Sequence, residues 1–257
     1  GSSGGVPRVG NDWGACDPTD PRNVRTRCSL LLRYRDRVSQ PPTSALIDTS
    51  PDLRQQLLAA GVSKLDAVIM SHHHADQCHG IDDVRALALR QQKPIPIYMD
   101  DETHRILSDR FSYCFTGHKG YPPILAPSPE LQPTKAVTIE GVGGSVSILC
   151  LDQDHGTCRS LGFRIGPFAY CNDVLELPEQ SLQLLRGVKV FIVDALRYTP
   201  HPTHANVDRA LEWAEQIGAE QVVLTNMHVD LDYAELDSRT PAHVKPAHDG
   251  LELNIEL

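Results

Sequence analysis

The sequence predicts an α/β (α+β) protein built from two mixed β-sheets with helices on the outside. Short apolar runs rich in β-branched residues alternate with turn signals, and in each half of the chain strands are followed by a helix. The 257 residues, 40% of them hydrophobic, suffice for one large core, and no stretch has the composition of a linker. We therefore expect a single domain that spans residues 1–257.

The first half of the chain alternates predicted strands and helices. Ser50-Pro51-Asp52 precedes leucines at helical spacing and Gly61 follows them, which predicts a capped helix with proline at its first position. Apolar residues recur at helical spacing after Gly80, so a second helix is expected to start there, and a third covers residues 101–110. The predicted strands are residues 28–34, 45–48, 67–70 and 95–99.

The segment 111–134 differs from its surroundings because it combines four aromatic residues with five prolines. We expect a long ordered loop here, and such loops in compact domains are often functional. Further on, residues 207–217 closed by Gly218 predict another helix. The strands predicted in this half are residues 146–151, 161–165, 168–171, 188–194 and 221–227.

Charge and composition exclude several functions. A net charge of −9 disfavours a broad surface for long nucleic acid, although a metal ion can give a small anionic ligand its local positive charge. No apolar run approaches the about 18 residues of a membrane span, and the first residues carry no secretory signal. Seven cysteines without a CxxC pair favour a reduced, cytoplasmic setting.

The stretch SHHHADQCHG at residues 71–80 concentrates metal-binding side chains directly after a predicted strand. Alternate side chains of an extended segment share a face, so His72 and His74 can converge on one ion while His73 points elsewhere. Asp76 can then reach a neighbouring position. The alternative is a polar loop of solvated histidines, but HxHxD at the end of a strand favours zinc, manganese or iron.

Two later positions supply the donors that such a site still needs. His155 follows the strand predicted at 146–151, and Asp173 follows the strand at 168–171. Taken alone, each would be interpreted as a turn residue. Together they offer a third imidazole and a carboxylate to a metal that already holds two imidazoles.

Several blocks of the chain resemble the metallo-β-lactamase superfamily: HxHxD after an apolar strand, the late histidine, the aspartate after FAYCN, and LTNMHVD. The opening GSSGGVPRVGNDWGACDPTDPRN, together with HGIDDVR, VDALRYTPHPTH and AHDG, is similar to one branch of it. That branch contains the cyclic-phosphate phosphodiesterase of phosphonate breakdown and is related to tRNase Z, the tRNA 3′-processing nuclease. The resemblance implies an αββα sandwich with a metal site at one edge of its two sheets. It also implies that GSSGGVP is native sequence, which a further strand precedes in the family.

The resemblance assigns a role to each of the metal-binding side chains. It implies that the first metal is bound by His72, His74 and His155. Asp173 would bridge two metals, and Asp76 would belong to the second.

Two further residues, His204 and Asp194, are candidates for roles around the metal site. His204, the last residue of HPTH, matches a histidine that contacts the scissile phosphate; the alternative is a capping or surface histidine before the helix 207–217. Asp194 ends its predicted strand, and we expect it to orient a metal-binding histidine.

The chain departs from the family pattern at two positions that both belong to the second metal site. Gln77 stands where HxHxDH has its last histidine, and Asn226 stands where LTNMHVD should carry one. A site of carboxylates and amide oxygens disfavours zinc. We therefore expect zinc or manganese at the first site, and a second site that is empty or weakly holds manganese, magnesium or calcium. Alternatively, His79 or His228 replaces the missing donors.

The resemblance and these residues predict a metal-dependent phosphodiesterase that acts on a small cyclic phosphate or nucleotide through a metal-bound hydroxide. Asp76 or Asp173 would accept the proton of the attacking water, and His204 would stabilise charge on the phosphoryl oxygens. The alternatives are a tRNA 3′-processing nuclease, a thioester or lactone hydrolase, and a catalytically weak nucleotide-binding or sensing protein. We expect neither a membrane nor a long nucleic acid as partner, and a homodimer stays open.

Overall fold

The computed structural model describes residues 1–256, which divide into two compact units. The central unit is Ser29–Ile148, and the terminal unit combines Gly1–Cys28 with the chain from Leu149 onward. The single domain over residues 1–257 stays a prediction.

The central unit contains a five-stranded mixed sheet. Its strands are β1 (Leu30–Tyr34), β2 (Thr43–Ile47), β3 (Ala67–Ile69), β4 (Ile95–Tyr98) and β5 (Leu125–Pro127), in the order β1-β2-β3-β4-β5. β1 is antiparallel to β2, whereas β2 to β5 run parallel. The carboxyl ends of β2 and β3 therefore share one edge, where the register pair Ile47 and Ile69 precedes Asp48 and the histidine-rich stretch.

Helices and a buried cluster support this sheet. The helices are α1 (Leu53–Ala59), α2 (Ala75–Cys78), α3 (Arg85–Gln91), α4 (Asp101–Arg110) and α5 (Ser112–Thr116), with a 3-10 turn at Ile81–Val84. Asp100 caps α4 because its side chain accepts a hydrogen bond from the Thr103 N–H. Leucines of β2 and α1 pack with Val68 and Ile97 in one apolar core, which fixes the strand ends that carry the histidines.

The terminal unit contains the second mixed sheet. Its first two strands in chain order are β6 (Ala136–Gly141) and β7 (Gly144–Asp154). β6 and the start of β7 belong to the central unit, and β7 continues into the terminal unit. The remaining strands are β8 (Arg159–Ile165), β9 (Phe168–Cys171), β10 (Val190–Asp194), β11 (Gln221–Thr225) and β12 (Val244–Pro246). β9 to β12 are parallel, while β8 is antiparallel to both β7 and β9. The carboxyl ends of β7, β9, β10 and β11 consequently lie at one edge.

Three α-helices belong to the terminal unit: α6 (Glu179–Leu185), α7 (Val207–Ile217) and α8 (Tyr233–Arg239). α7 begins after Asn206, whose side chain accepts a hydrogen bond from the Arg209 N–H, and ends at Gly218 in the left-handed conformation. Its buried face includes Trp213 and Ile217. Two mixed sheets flanked by helices confirm the predicted fold class. None of the helices within residues 1–256 combines the length and hydrophobicity needed to cross a bilayer.

The predicted loop at 111–134 is wrong in part, because α5 and β5 lie within it. Phe111 and Phe115 pack against the buried core at α5, whereas Tyr113 and Tyr121 are exposed. β5 is an edge strand, where Pro127 can be accommodated although it donates no backbone hydrogen bond. The proline-rich composition therefore hid two short elements.

Other differences concern short elements and boundaries. α1 begins at Leu53, because Ser50-Pro51-Asp52 forms the turn before it. α2 interrupts the stretch predicted to be a loop, and the helix expected near Gly80 begins as the 3-10 turn. β6, α6, α8 and β12 were absent from the sequence prediction. Each of these has seven residues or fewer, too few for a periodic pattern to stand out.

Candidate metal centre

A hydrogen-bonded chain fixes the first histidine of the central unit. Asp48 follows β2, is fully buried, and accepts hydrogen bonds from the backbone N–H and the hydroxyl of Ser71 at 2.7 and 2.8 Å. The Ser71 hydroxyl lies 3.0 Å from Nδ1 of His72. Because the hydroxyl gives its proton to Asp48, it accepts the Nδ1–H of His72. Nε2 of His72 then carries the lone pair that a metal needs.

The neighbouring histidines follow an extended backbone up to the start of α2. The ring centroids of His72 and His74 lie 4.5 Å apart, and those of His72 and His73 lie 6.4 Å apart. His74 is extended, but Asp76 and Gln77 sit on α2. The strand-like alternation therefore holds for the two histidines and fails from Asp76 onward, because a helical turn replaces the extended chain there.

Gln77 is fully buried beside a partly exposed Asp76. Its Nε2 lies 3.4 Å from Oδ2 of Asp76, a long hydrogen bond. Its Oε1 is buried and has no hydrogen-bond partner among residues 1–256. A buried amide oxygen without a donor is the kind of atom that a hard cation can satisfy, so this position offers oxygen where the family pattern offers imidazole.

In the terminal unit, the loop that contains Thr203 holds His155. His155 follows β7, is 2% exposed, and its Nδ1 lies 2.7 Å from the Thr203 carbonyl oxygen. The carbonyl can only accept, so Nδ1 carries the proton and Nε2 carries the lone pair that a metal can use. Gly156 makes this approach feasible: its φ is +75°, and a Cβ there would lie 2.7 Å from the Pro202 oxygen.

Asp173 follows β9 in a left-handed conformation with φ of 51°. Its carboxylate accepts hydrogen bonds from the side-chain amides of Asn172 and Asn226, at 3.2 and 2.9 Å. Its backbone oxygen accepts from the Ser160 hydroxyl, which Gln153 holds through its Nε2. This buried network fixes the direction of a carboxylate that would otherwise be costly to bury.

His204 is 9% exposed and joins the same edge of the sheet. Its Nδ1 lies 2.6 Å from Oδ2 of Asp194, at the end of β10. Burial raises the pKa of the Asp194 carboxyl, and the neighbouring His204 opposes this rise. The ligand atoms of His155, Asp173 and His204 all lie within 4.8 Å of one another. The sequence predicts that Asp194 orients a metal-binding histidine; in the structure Asp194 contacts His204, the histidine expected to contact the phosphate.

Asn226 follows β11 and faces this group with its amide N–H. It has a φ of 57° and is fully buried. Its Nδ2 donates to Oδ1 of Asp173 and lies 3.3 Å from Nδ1 of His204, while its Oδ1 accepts from the Cys28 thiol. A carboxylate accepts only, so the amide must present nitrogen to Asp173. The Asn226 oxygen therefore points away from Asp173.

The two histidines considered as substitute donors are engaged elsewhere. His79 is exposed, and its ring packs edge-on against Phe111 at 5.8 Å. Nδ1 of His228 lies 2.9 Å from the Asp230 carboxylate, and its Nε2 lies 3.0 Å from the Arg8 guanidinium. His228 thus donates with one nitrogen and accepts with the other, so neither is left for a cation.

The residues that position these side chains and were missed by sequence reasoning include Asp48, Gln153 and Thr203. Asp48 carried a usable signal, because it ends a buried strand parallel to the one before the histidines. Thr203 acts through its backbone, and Gln153 acts through a buried side chain in mid-strand. Neither leaves a pattern in the sequence.

The chain matches the family described as Beta-lactamase superfamily domain over residues 43–227. A curated protein of Porphyromonas gingivalis (strain ATCC BAA-308 / W83), named octanoyltransferase, is 31% identical over 261 residues. That alignment covers 100% of this chain and 50% of the relative, so the chain spans about half the length of the curated relative it matches.

Among solved structures, a new diphosphatase from the PhnP family superposes with a TM-score of 0.87 and 33% identity, covering 98% of this chain and 93% of that one. The short form of human tRNase Z superposes with a TM-score of 0.64 over 95% and 98% of the two chains; at 15% identity, it shows the fold alone. These matches confirm the predicted resemblance to the metallo-β-lactamase superfamily and to its PhnP-like branch.

Proposed function

The chain belongs to the beta-lactamase superfamily domain family, whose members are metallo-β-lactamase-type hydrolases. We propose that it is a metal-dependent phosphodiesterase with a small phosphorylated substrate. The substrates proposed are a cyclic phosphate, a nucleotide and, because the 33% identical protein is a diphosphatase, a diphosphate. The octanoyltransferase name belongs to a protein about twice as long and is not carried over.

One observation carries the proposal: His155, Asp173 and His204 form a buried group with all ligand atoms within 4.8 Å. The Nδ1 atoms of both imidazoles face acceptor oxygens, those of Thr203 and Asp194. Imidazoles whose second nitrogen is held in this way are typical of metal sites and of phosphate-binding histidines. Burying these polar groups costs free energy, which a functional role would explain.

We propose His72, His74, His155 and Asp173 as the ligands of one metal ion, zinc or manganese. Three neutral imidazoles and a carboxylate suit either ion. Ser71 and Thr203 support this assignment, because each leaves Nε2 of its histidine as the ligand atom. When bound, the ion supplies a Lewis acid and lowers the pKa of a coordinated water.

The chain's own residues then act on the proton and the charge. Asp173 or Asp76 accepts the proton of the attacking water as general base. His204 donates a hydrogen bond to the phosphoryl oxygens, where negative charge grows in the transition state. Asp194 holds the His204 ring in place through the 2.6 Å contact at Nδ1. Asn226 and Asn172 keep the Asp173 carboxylate oriented.

A second ion of the usual kind does not fit this chain. Asn226 directs an N–H at Oδ1 of Asp173, so its amide presents a donor and not a ligand oxygen to that carboxylate. The remaining donors, Asp76 and the amide oxygen of Gln77, are oxygens only. We propose that this position is empty or weakly holds manganese, magnesium or calcium. No step of the reaction is assigned to it.

The partner proposals follow from charge and chemistry. The net charge of −9 supports a small substrate and not a long nucleic acid. The seven cysteines, all within residues 1–256, form no disulfide and six of them are buried, which supports a reduced, cytoplasmic setting. We propose no membrane partner, and a homodimer is compatible with the proposed site.

An assay on phosphorylated substrates tests the function. Chelator-treated protein would be loaded with zinc, manganese, magnesium or nickel and given bis(p-nitrophenyl) phosphate, a ribose cyclic phosphate and a nucleoside diphosphate. We expect turnover of at least one of them that disappears in His72→Ala and persists in His118→Ala, an exposed histidine of the same unit. The absence of turnover with every metal would contradict the proposal.

The same preparation separates the rival functions. Cleavage of a precursor tRNA at a higher kcat/KM than any small phosphate would favour the nuclease. Turnover confined to thioesters or lactones would favour that class of hydrolase. Binding of nucleotide monophosphates without turnover of any diester, even with excess manganese, would favour a sensing protein.

A further inference from the structure

His201 continues a row of three imidazoles in the terminal unit. The ring centroids of His155 and His204 are 4.8 Å apart, and those of His204 and His201 are 5.2 Å apart. His155 and His204 are buried, whereas His201 is half-buried. The row therefore runs from a proposed metal ligand, past the proposed phosphate contact, to a side chain that solvent reaches.

Thr203 fixes which nitrogen of His201 carries the proton. Its backbone N–H donates to Nδ1 of His201 at 3.3 Å, and its hydroxyl lies 3.2 Å from the same atom. A backbone N–H can only donate, so Nδ1 is the acceptor, and neutral His201 carries its proton on Nε2. The carbonyl of Thr203 holds His155, so one residue orients both ends of the row.

The surroundings of His201 suit an anion. Burial lowers the pKa of His201, and the charged groups that act in the same direction are His204, Arg197 and His228. Since Nδ1 accepts the Thr203 N–H, the ring is neutral and offers its Nε2–H, and Arg197 supplies a nearby positive charge. Arg197 is tied to the loop through the carbonyls of Thr199 and Pro200, which holds this loop in place.

We propose that Nε2–H of His201 binds the departing phosphoryl group of the substrate, so that the substrate class is a diphosphate. The proposal rests on the phosphodiesterase function and names its leaving group. In hydrolysis, the water oxygen bonds to the phosphorus beside His204 and the P–O bond to the second phosphoryl group breaks. The proton of the water goes to the carboxylate base, and the second group leaves as a phosphate anion.

Chemistry favours this leaving group over a sugar alkoxide. An alkoxide must take up a proton as it departs, and an imidazole that is neutral because its Nδ1 accepts the Thr203 N–H is a poor proton donor. A phosphate departs as a stable anion and needs only a hydrogen bond. His201 therefore donates a hydrogen bond and transfers no proton, which distinguishes its role from that of a general acid.

Three variants of the metal-loaded enzyme test the proposal: His201→Ala, His201→Gln and His201→Asn. The amide nitrogen of glutamine can take the place of Nε2, whereas that of asparagine takes the place of Nδ1. We expect His201→Ala and His201→Asn to lower kcat/KM for adenosine diphosphate by about 10- to 100-fold, and His201→Gln to recover much of the loss. All three should retain the rate on bis(p-nitrophenyl) phosphate. His243→Ala, an exposed histidine of the same unit, serves as control.

The outcomes separate this inference from the function on which it rests. Equal losses on both substrates would mean that His201 only supports the loop, and unchanged kinetics would mean that it binds nothing; either result overturns the inference. Turnover of cyclic phosphate but not of adenosine diphosphate by the unaltered enzyme also overturns it and leaves the phosphodiesterase standing. If the unaltered enzyme turns over no phosphorylated substrate, both the phosphodiesterase function and the role of His201 are contradicted.

Discussion

Nδ1 of His204 lies 2.6 Å from Oδ2 of Asp194, in a part of the terminal unit where the aspartate is fully buried. The same carboxylate oxygen accepts the Val174 N–H at 3.2 Å, so Asp194 connects the loop after β9 with the loop before α7. The pair thereby fixes which nitrogen of His204 faces away from the carboxylate.

Asp194→Asn tests this pair. An asparagine keeps the shape but can present N–H to His204, so the imidazole loses its fixed tautomer. We expect kcat to fall by about 10²- to 10⁴-fold with little change in KM, because His204 acts in the transition state. Steady-state kinetics checks this, with the exposed Asp208→Asn on α7 as control. A change in KM alone would contradict the role given to the pair.

Gly156→Ala tests how the Thr203 loop holds His155. The added Cβ would lie 2.7 Å from the Pro202 oxygen, at a φ of +75°. We expect about 1–3 kcal/mol of lost stability, together with weaker metal binding because the His155–Thr203 contact opens. Gly187→Ala is the matched control, since its φ is +78° and nothing lies within 4 Å of its Cβ.

Chemical denaturation and zinc titration of both glycine variants give the comparison. Equal losses of stability and zinc affinity in Gly156→Ala and Gly187→Ala would show that only the strained backbone conformation matters, and not the contact with Pro202. Unchanged zinc affinity of Gly156→Ala would show that the loop contact does not position His155.

Gln77→His/Asn226→His tests the altered second position. Asparagine and histidine both tolerate a positive φ, so the backbone at Asn226 can accept the change. We expect the unaltered protein to keep one equivalent of zinc after dialysis, and the double variant to keep a second and to hydrolyse diesters faster. Two tightly held equivalents in the unaltered protein would show that Asn226 does not exclude the second ion.

Asp48→Asn tests the buried carboxylate behind Ser71. Burial raises the pKa of Asp48 from 3.8 to about 7. Between these values the folded metal-free protein keeps a proton that the unfolded chain has lost, so the free energy of unfolding falls as pH rises. We expect the advantage of unaltered protein over Asp48→Asn to shrink over this interval, and urea unfolding in the presence of a chelator would measure it. A difference independent of pH would mean that Asp48 does not titrate there.

Much of the fold could be predicted because many helices and strands have recognisable local sequence patterns. α4 and α7 have caps and periodic faces, and their bounds match the prediction residue for residue. β9 does as well. β5 and β12 each have three residues, one of them a proline, which is too short and too atypical to predict a strand from sequence. Both form because a neighbouring strand pairs with them. Pairing partners distant in sequence decide these edges.

The candidate site divides in the same way. Residues that follow strands, such as His155 and Asp173, could be found because polar groups at strand ends are visible in the sequence. The roles of Thr203 and the direction of the Asn226 amide could not, because they depend on backbone atoms and hydrogen bonds that only the folded chain creates. The sequence shows that Gln77 and Asn226 replace the two histidines of the family pattern, but it does not show what these two side chains contact.

Anomalous diffraction at the zinc edge, from crystals grown with zinc, measures the central claim directly. The account predicts one strong peak with the imidazoles of His72, His74 and His155 and the Asp173 carboxylate at bonding distance, about 2.0–2.2 Å. No peak at these side chains, or a peak held by other residues, would contradict it.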